Sequence, residues 1–224
     1  MMTKMQGVMR IVNGNCWLLA LAMVGLVASV AGVATAPAQA PPGSVTAEIG
    51  FPPVGAKFEY RTVEDGATKT QIFTVLEEGT YRGKPVFRMS DGVETLLYDK
   101  ATESWMATLR EGKVVSEASP HAGSMSFPVW VGKSWASDYS FTDHEQGINA
   151  PNETRRCKVA AYEEVKVPAG TFMAFRVECS TRFTDLTFWY SAGLHKFVKH
   201  VFERNSPRYG SQKKTMELLS YRLR

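Results

Sequence analysis

The stretch Arg155–His200, RRCKVAAYEEVKVPAGTFMAFRVECSTRFTDLTFWYSAGLHKFVKH, decides the fold because it contains two extended arms that meet at a turn. The turn is Pro168–Gly170, where proline fixes φ and glycine permits backbone conformations that other residues avoid. Cys157 and Cys179 lie eleven residues before and eleven residues after Pro168. This spacing predicts an antiparallel hairpin in which the two cysteines face each other.

Cys157 and Cys179 are therefore the candidate disulfide of the chain. Directly opposed Cβ atoms of an antiparallel pair lie about 4.5–5.5 Å apart, and closer where the pair is not hydrogen-bonded, which is the pair type that suits a disulfide. An oxidising compartment favours the bond. The alternative is a pair of reduced cysteines in the core.

Residues 1–40 differ from the rest of the chain and predict a secretory signal peptide. Lys4 and Arg10 form a weakly basic head, an apolar run follows at 16–34, and Ala38–Ala40 is a small-x-small cleavage site. An uncleaved membrane anchor is the alternative, because the apolar run approaches the roughly 20 residues that span a bilayer. Cleavage predicts a periplasmic or secreted protein with no stable membrane span after processing.

The charge of the exported chain is small. The leader takes Lys4 and Arg10 from the 26 basic side chains and none of the 22 acidic ones, so the mature chain has a net charge of about +2. Such a charge provides no electrostatic footprint for nucleic acid or an anionic membrane. Residues 41–53 are rich in proline, glycine and alanine and predict a flexible tether, and residues 54–224 predict a single β domain.

The β prediction depends on a hydrophobic period of two. In Lys57–Thr62, Phe58 and Tyr60 share one face, and the charged residues Glu59 and Arg61 take the other. Turn signals recur every 8–12 residues, which is typical of an antiparallel meander and not of βαβ units. Because long sheets curl, the predicted fold is all-β, a single antiparallel meander curling into a half-barrel or open barrel. Asp143–Asn152 is predicted as a polar loop, and Lys213–Arg224 fits a helix or a strand equally well.

The motifs reveal no catalytic, metal-binding or cofactor-binding residues. Gly132-Lys133-Ser134 lacks the upstream glycine of a phosphate-binding loop. The four histidines do not have the spacing of a metal site. The basic residues between Lys196 and Lys214 alternate with apolar ones, which predicts a half-buried strand with a basic outer face and no nucleic-acid partner.

Val165–Val177, which contains V-P-A-G-T-F, resembles a signature of uncharacterised exported bacterial proteins of the TapB-like and related domain-of-unknown-function families. Phe127–Trp135 and Trp189–Lys199 resemble two further segments of these families, although Ala192 replaces their usual proline. The resemblance spans roughly Phe127–Lys199. It implies a strongly curved antiparallel sheet or open barrel, similar in general shape to periplasmic lipoprotein carriers, and it transfers no catalytic residues.

The functional hypothesis is a non-catalytic envelope protein that binds an apolar small molecule or lipid in the concave face of the sheet. It depends on aromatic residues at alternating positions, namely Phe58, Tyr60, Phe73, Trp105, Tyr139, Phe141, Phe188 and Tyr190. The simpler reading is that these side chains only fill the core.

Two other classes of function stay open. A structural or assembly partner of other envelope proteins predicts an exposed strand edge or a large apolar patch. A hydrolase requires carboxylates such as Asp138, Asp143 and Glu145 to converge in one pocket.

Overall fold

The computed structural model describes residues 39–224, which form a closed antiparallel barrel. Its strands are β1 (Lys57–Glu64), β2 (Ala67–Tyr81), β3 (Lys84–Ser90), β4 (Glu94–Asp99), β5 (Trp105–Arg110), β6 (Lys113–Ser119), β7 (Ser134–Asp143), β8 (Ile148–Val167), β9 (Gly170–Ser180), β10 (Thr184–Ser191), β11 (Lys196–Ser206) and β12 (Gly210–Arg222). The predicted signal peptide lies outside the described residues except for its last two. None of the described residues belongs to a helix long and apolar enough to cross a membrane.

The sheet closes because its first and last strands pair. Each strand is hydrogen-bonded to its neighbours in sequence, which confirms the antiparallel meander, and β1 pairs along its whole length with β12. The prediction of a half-barrel or open barrel is therefore wrong. Hydrophobic periodicity describes the faces of one strand, whereas closure depends on pairing between segments at opposite ends of the chain.

The structure shows the secondary structure of Lys213–Arg224 and of Asp143–Asn152. Lys213–Arg224 is a strand up to Arg222, since β12 pairs with β1 on one side and β11 on the other. The predicted polar loop Asp143–Asn152 is wrong from Ile148 onward, where β8 begins. This part of β8 pairs through its backbone with β7, as in Ala150 opposite Phe141, and backbone pairing does not require apolar side chains.

The β8–β9 hairpin confirms the predicted cysteine pairing. Cys157 and Cys179 are cross-strand partners and form a disulfide, with their Cα atoms 4.0 Å apart. This short separation is that of a non-hydrogen-bonded pair, the pair type that the sequence required. Both cysteines are buried.

The tip of the same hairpin folds across one end of the barrel. The Ala169 amide donates a hydrogen bond to the Leu218 carbonyl on β12 at 3.0 Å, and Val167 is buried. We call this the floor end; the β2–β3, β4–β5, β6–β7 and β10–β11 connections also lie there. The opposite end, which carries the β1–β2, β3–β4, β5–β6, β7–β8, β9–β10 and β11–β12 turns, is the mouth end.

The β6–β7 connection, residues 120–133, packs against inward-facing side chains. The Ala122 amide donates to the Trp105 carbonyl at 2.8 Å, and Met125 and Val129 are buried in the core. Gly123 has a φ of +64°, and a Cβ there would lie 2.3 Å from the Ser137 side chain. Glycine is therefore required at the point where this loop approaches β7.

Residues 41–53 also contact the barrel, where a free tether was expected. Ala47 is buried and forms an isolated antiparallel bridge with Val129. The Phe51 and Phe87 rings lie 4.7 Å apart between centroids. These contacts place the segment in the packing of the floor end.

Candidate functional site

The barrel encloses a cavity of about 650 Å³ on its inner face. Seven of the eight predicted ligand-facing aromatic residues line it: Tyr60, Phe73, Trp105, Tyr139, Phe141, Phe188 and Tyr190. Phe58 does not line the cavity and is fully buried in the hydrophobic core nearby. Strand alternation thus brings side chains from β1, β2, β5, β7 and β10 to one internal surface.

β10 illustrates how this surface arises. Phe188 and Tyr190 point inward, whereas Trp189 between them points outward and donates from its indole N–H to the Glu163 carboxylate at 2.9 Å. β7 follows the same rule with Tyr139 inward and Asp138 outward, where Asp138 accepts a hydrogen bond from Thr154 at 2.7 Å. A period of two therefore separates an apolar lining from a charged exterior.

The mouth end of the cavity has a charged rim. Arg110 binds both Glu94 and Glu145, and Lys69 lies 3.6 Å from Glu64. These residues flank the hairpin turns at the ends of β1, β2, β4 and β5 and the turn after β7. A polar rim around an apolar interior is the usual arrangement of a small-molecule pocket.

An acid, Glu103, and a base, Lys196, line the deeper part of the cavity, toward the floor end. Glu103 lies in the β4–β5 connection with a φ of +56°, and Lys196 begins β11 and is buried. Burial raises the pKa of Glu103 and lowers the pKa of Lys196, and the charge of each partner opposes the other's shift. The Lys196 ammonium also lies 4.7 Å from the centroid of the Tyr98 ring, a cation–π distance.

Arg155 brings a second cation to the cavity, from β8. Its guanidinium donates to the Ala122 carbonyl at 2.8 Å, to the Ser124 hydroxyl at 3.1 Å and to the Tyr139 hydroxyl at 3.0 Å. Burial lowers the pKa of Arg155, and the nearby Tyr139 and Glu153 oppose this shift. The acceptors that hold the guanidinium in place are thus neutral groups.

His200 lies on β11 directly across from Phe188 on β10 and lines the same cavity. Burial, together with the charges of Lys214, Arg155 and Lys196, lowers its pKa to about 3. The imidazole is therefore neutral at physiological pH. Its surroundings are strongly cationic.

One buried polar atom of this cavity, His200 Nδ1, has no hydrogen-bond partner among the described residues, whereas the Tyr190 hydroxyl and the Glu103 carboxylate interact with each other. Buried polar groups are almost always hydrogen-bonded, and an unpaired one costs about 1–3 kcal/mol. His200 Nδ1 is therefore free to interact with a polar group that enters the cavity.

Of the three carboxylates proposed for a hydrolase, Asp143 and Glu145 line the mouth end of the cavity, whereas Asp138 does not line it. Asp138 lies on the outer face of the barrel, in a groove beside Glu153. Asp143 accepts hydrogen bonds from the Glu145 and Gln146 amides in the β7–β8 turn, and Glu145 pairs with Arg110 at the mouth. Among residues 39–224, no three His, Cys, Asp or Glu side chains are grouped so that they could hold a metal ion.

Sequence reasoning missed the polar residues of the cavity. Lys196 was placed on a basic outer face, and this is wrong, because Lys196 is buried. Strand alternation could not reveal this, because the β10–β11 register shifts beside Phe197 and breaks the period of two at the start of β11. No pattern marked Glu103 or Arg155 either, whose positions depend on the β4–β5 connection and on the loop after β6.

No protein-family model matches the chain, and none of the curated proteins matches its sequence. Three solved structures are similar in fold. The hypothetical lipoprotein YmcC from Escherichia coli (K12) is 11% identical, with 75% of this chain and 88% of that chain covered and a TM-score of 0.44. An inferred lipoprotein from Parabacteroides distasonis ATCC 8503 is 11% identical over 79% of this chain and 99% of that chain, with a TM-score of 0.41. An inferred exported protein with a YmcC-like fold from Bacteroides fragilis NCTC 9343 is 12% identical over 79% of this chain and 99% of that chain, with a TM-score of 0.40.

Proposed function

We propose that this protein is an exported, non-catalytic binding protein of the cell envelope that holds an apolar or amphipathic small molecule, such as a lipid, inside its barrel. The observation that carries the proposal is the aromatic-lined cavity of about 650 Å³. Ligand pockets are typically about 300–1,000 Å³, mostly apolar, with a few polar groups placed among aromatic side chains. The cavity has this size and this lining.

Export is supported by two features of the chain. The first forty residues have the basic head, apolar run and Ala-x-Ala end of a signal peptide. The Cys157–Cys179 disulfide fits an oxidising compartment such as the periplasm. A carrier in this compartment would shield an apolar molecule from water between membranes.

A structural or assembly role has less support. That role predicted an exposed strand edge, and each strand of the described barrel is paired on both sides. The large exposed apolar residues, including Ile72 on β2 and Val93 in the β3–β4 turn, are distributed over different elements. Single exposed apolar side chains of this kind are normal on protein surfaces.

The proposal is tested by filling the cavity. Leu96 on β4 lines it, so Leu96→Trp places a larger side chain inside the barrel. We expect the wild-type protein to bind the uncharged fluorescent probe N-phenyl-1-naphthylamine, and Leu96→Trp to weaken binding at least about tenfold, since steric exclusion removes contacts worth more than about 1.4 kcal/mol. Fluorescence titration measures the affinity, and circular dichroism confirms that the variant is folded.

Ile72→Trp is the matched control, because Ile72 lies on the outer face between the inward-facing Gln71 and Phe73 and is 50% exposed. This variant should bind the probe like the wild type. Native mass spectrometry of protein purified from envelopes provides a second readout. A wild-type protein that neither binds the probe nor carries a co-purifying ligand would contradict the proposal.

A further inference from the structure

Three cations of the cavity interior form no direct salt bridge within the described part of the chain, although the charge of Glu103 acts on Lys196 and those of Glu64 and Glu94 act on Lys214. Lys196, Arg155 and Lys214 line the cavity, and none of them forms an ion pair with a carboxylate among the described residues. On the outer face the pattern is different, as Arg176 pairs with both Glu163 and Glu178. Buried or half-buried charges are normally paired, because desolvating an unpaired one is costly.

Strand register brings the cations of β11 and β12 close to His200. His200 lies opposite Met216, and Lys214 is two residues from Met216 on the same face of β12. Diagonal neighbours of this kind lie about 7–8 Å apart, within reach of long side chains. Arg155 approaches from β8 on the other wall, and its charge also lowers the pKa of His200.

Several hydrogen-bond donors near His200 have no acceptor among the described residues. A guanidinium has five N–H donors, and acceptors in the described residues account for three of those of Arg155. The Tyr139 hydroxyl accepts from Arg155, which leaves its own proton free to donate. The buried Nδ1 of His200 has no partner among the described residues.

We infer that the cavity binds its ligand by an anionic head group, a carboxylate, held by Arg155 and Lys214 beside His200, while the aromatic wall holds the apolar body. The ligand class is thus a fatty-acid-like amphiphile. This inference rests on the proposed function and adds to it the chemistry of the ligand's polar end. The carboxylate would accept charge-assisted hydrogen bonds from the unused donors.

A singly charged head group fits the cavity better than a phosphate. The acids near the mouth that face the same space are Glu64, Glu94, Asp143 and Glu145. Their charges oppose a doubly charged phosphate more than a singly charged carboxylate. The cations favour an anion, and these acids limit its charge.

The test compares two probes that differ only in charge. cis-Parinaric acid carries a carboxylate, and its methyl ester does not. We expect the wild-type protein to bind the acid at least about tenfold more tightly, the factor for one charge-assisted hydrogen bond. Arg155→Met and Lys214→Met should each remove most of this preference and leave the affinity for the ester nearly unchanged.

Arg176→Met is the matched control, since it removes an arginine of the neighbouring strand that pairs on the outer face. It should keep the preference for the acid. Lys214→Met keeps the test decisive if Arg155→Met does not fold, because the described residues give Lys214 no ion pair to lose.

The outcomes separate the two proposals. Equal affinity for acid and ester in the wild type would overturn the anion site and leave the apolar cavity standing. If neither probe binds, the proposed function falls and this inference falls with it. In competition, dodecanoate should displace the acid better than dodecyl phosphate does, and the reverse order would overturn the assignment of a carboxylate.

Discussion

His200 shows how the barrel interior controls the charge of a single side chain. It lies between Phe188 on β10 and Met216 on β12, beside the Phe197 ring at 5.4 Å between ring centroids. The charged groups that lower its pKa are Lys214, Arg155 and Lys196. An apolar and cationic environment disfavours the imidazolium, because desolvation and like charge act in the same direction.

This environment predicts acid sensitivity. The unfolded chain binds a proton at a histidine near pH 6.5, whereas folded His200 binds one only near pH 3. Unfolding therefore takes up a proton between these values, and the free energy of unfolding falls as the pH is lowered through this interval. In His200→Gln this proton uptake is absent. The free energy of unfolding should then depend less steeply on pH, by up to about 1.4 kcal/mol per pH unit.

Urea unfolding at a series of pH values measures this slope. His144→Gln is the control, because His144 lies in the β7–β8 turn and its side chain is 51% exposed. Identical slopes in the wild type and His200→Gln would contradict a buried neutral histidine. The dependence of the unfolding free energy on pH is compared, and not its absolute value, because the His200→Gln substitution also changes packing.

At the scale of secondary-structure elements, the β8–β9 hairpin has two structural roles. Its middle is closed by the Cys157–Cys179 disulfide, and its tip covers the floor end through the Ala169–Leu218 hydrogen bond. Arg155 lies two residues before Cys157, so it shares the inward face of β8 with the disulfide. The hairpin therefore braces the strand that presents the guanidinium to the cavity.

Removing the disulfide should lower stability without opening the barrel. The cysteines are 22 residues apart in sequence, and a cross-link over such a loop contributes about 3 kcal/mol by restricting the unfolded chain. Cys157→Ala combined with Cys179→Ala should lose about this amount in urea unfolding and keep the far-ultraviolet circular dichroism of the wild type.

Reduced wild-type protein is the control, and it should unfold close to the double variant. An oxidised wild type that unfolds at the same urea concentration as the double variant would show that the bond adds no stability. Non-reducing peptide mapping of protein recovered from the periplasm should link the two cysteines.

At the scale of the whole molecule, closure of the sheet turns a concave face into the inner surface of a barrel. β1 pairs with β2 on one side and β12 on the other, so neither terminal strand leaves an edge in the described barrel. An open sheet would expose the same aromatic residues to water and to other chains. Closure thus removes the strand edges of the described barrel and keeps these aromatic residues on its inner face.

Hydrogen exchange checks this closure. Amides in the middle of β1 and β12 should exchange as slowly as those of β9 and β10, because both terminal strands are paired on two sides. Terminal strands that exchange much faster than β9 and β10, as measured by mass spectrometry, would indicate an open barrel.

The sequence by itself determined the local features of this protein. Alternation in segments such as Lys57–Thr62 predicted strands, the recurring turns predicted a meander, and symmetry about Pro168 predicted the Cys157–Cys179 pair. These features are set by neighbouring residues, because strand period, turn chemistry and hairpin register act over short distances. Alternation also selected seven of the aromatic residues that line the cavity.

Only the tertiary structure decided that the barrel closes and which charges it encloses. Glu103, Arg155, Lys196 and His200 come from a connection and two strands far apart in sequence, and each is of a type usually found facing solvent. Pairing of β1 with β12 places them inside together, where desolvation shifts their pKa values. Periodicity assigns a side chain to a face of its strand, but burial of a charge depends on what the rest of the chain places over that face.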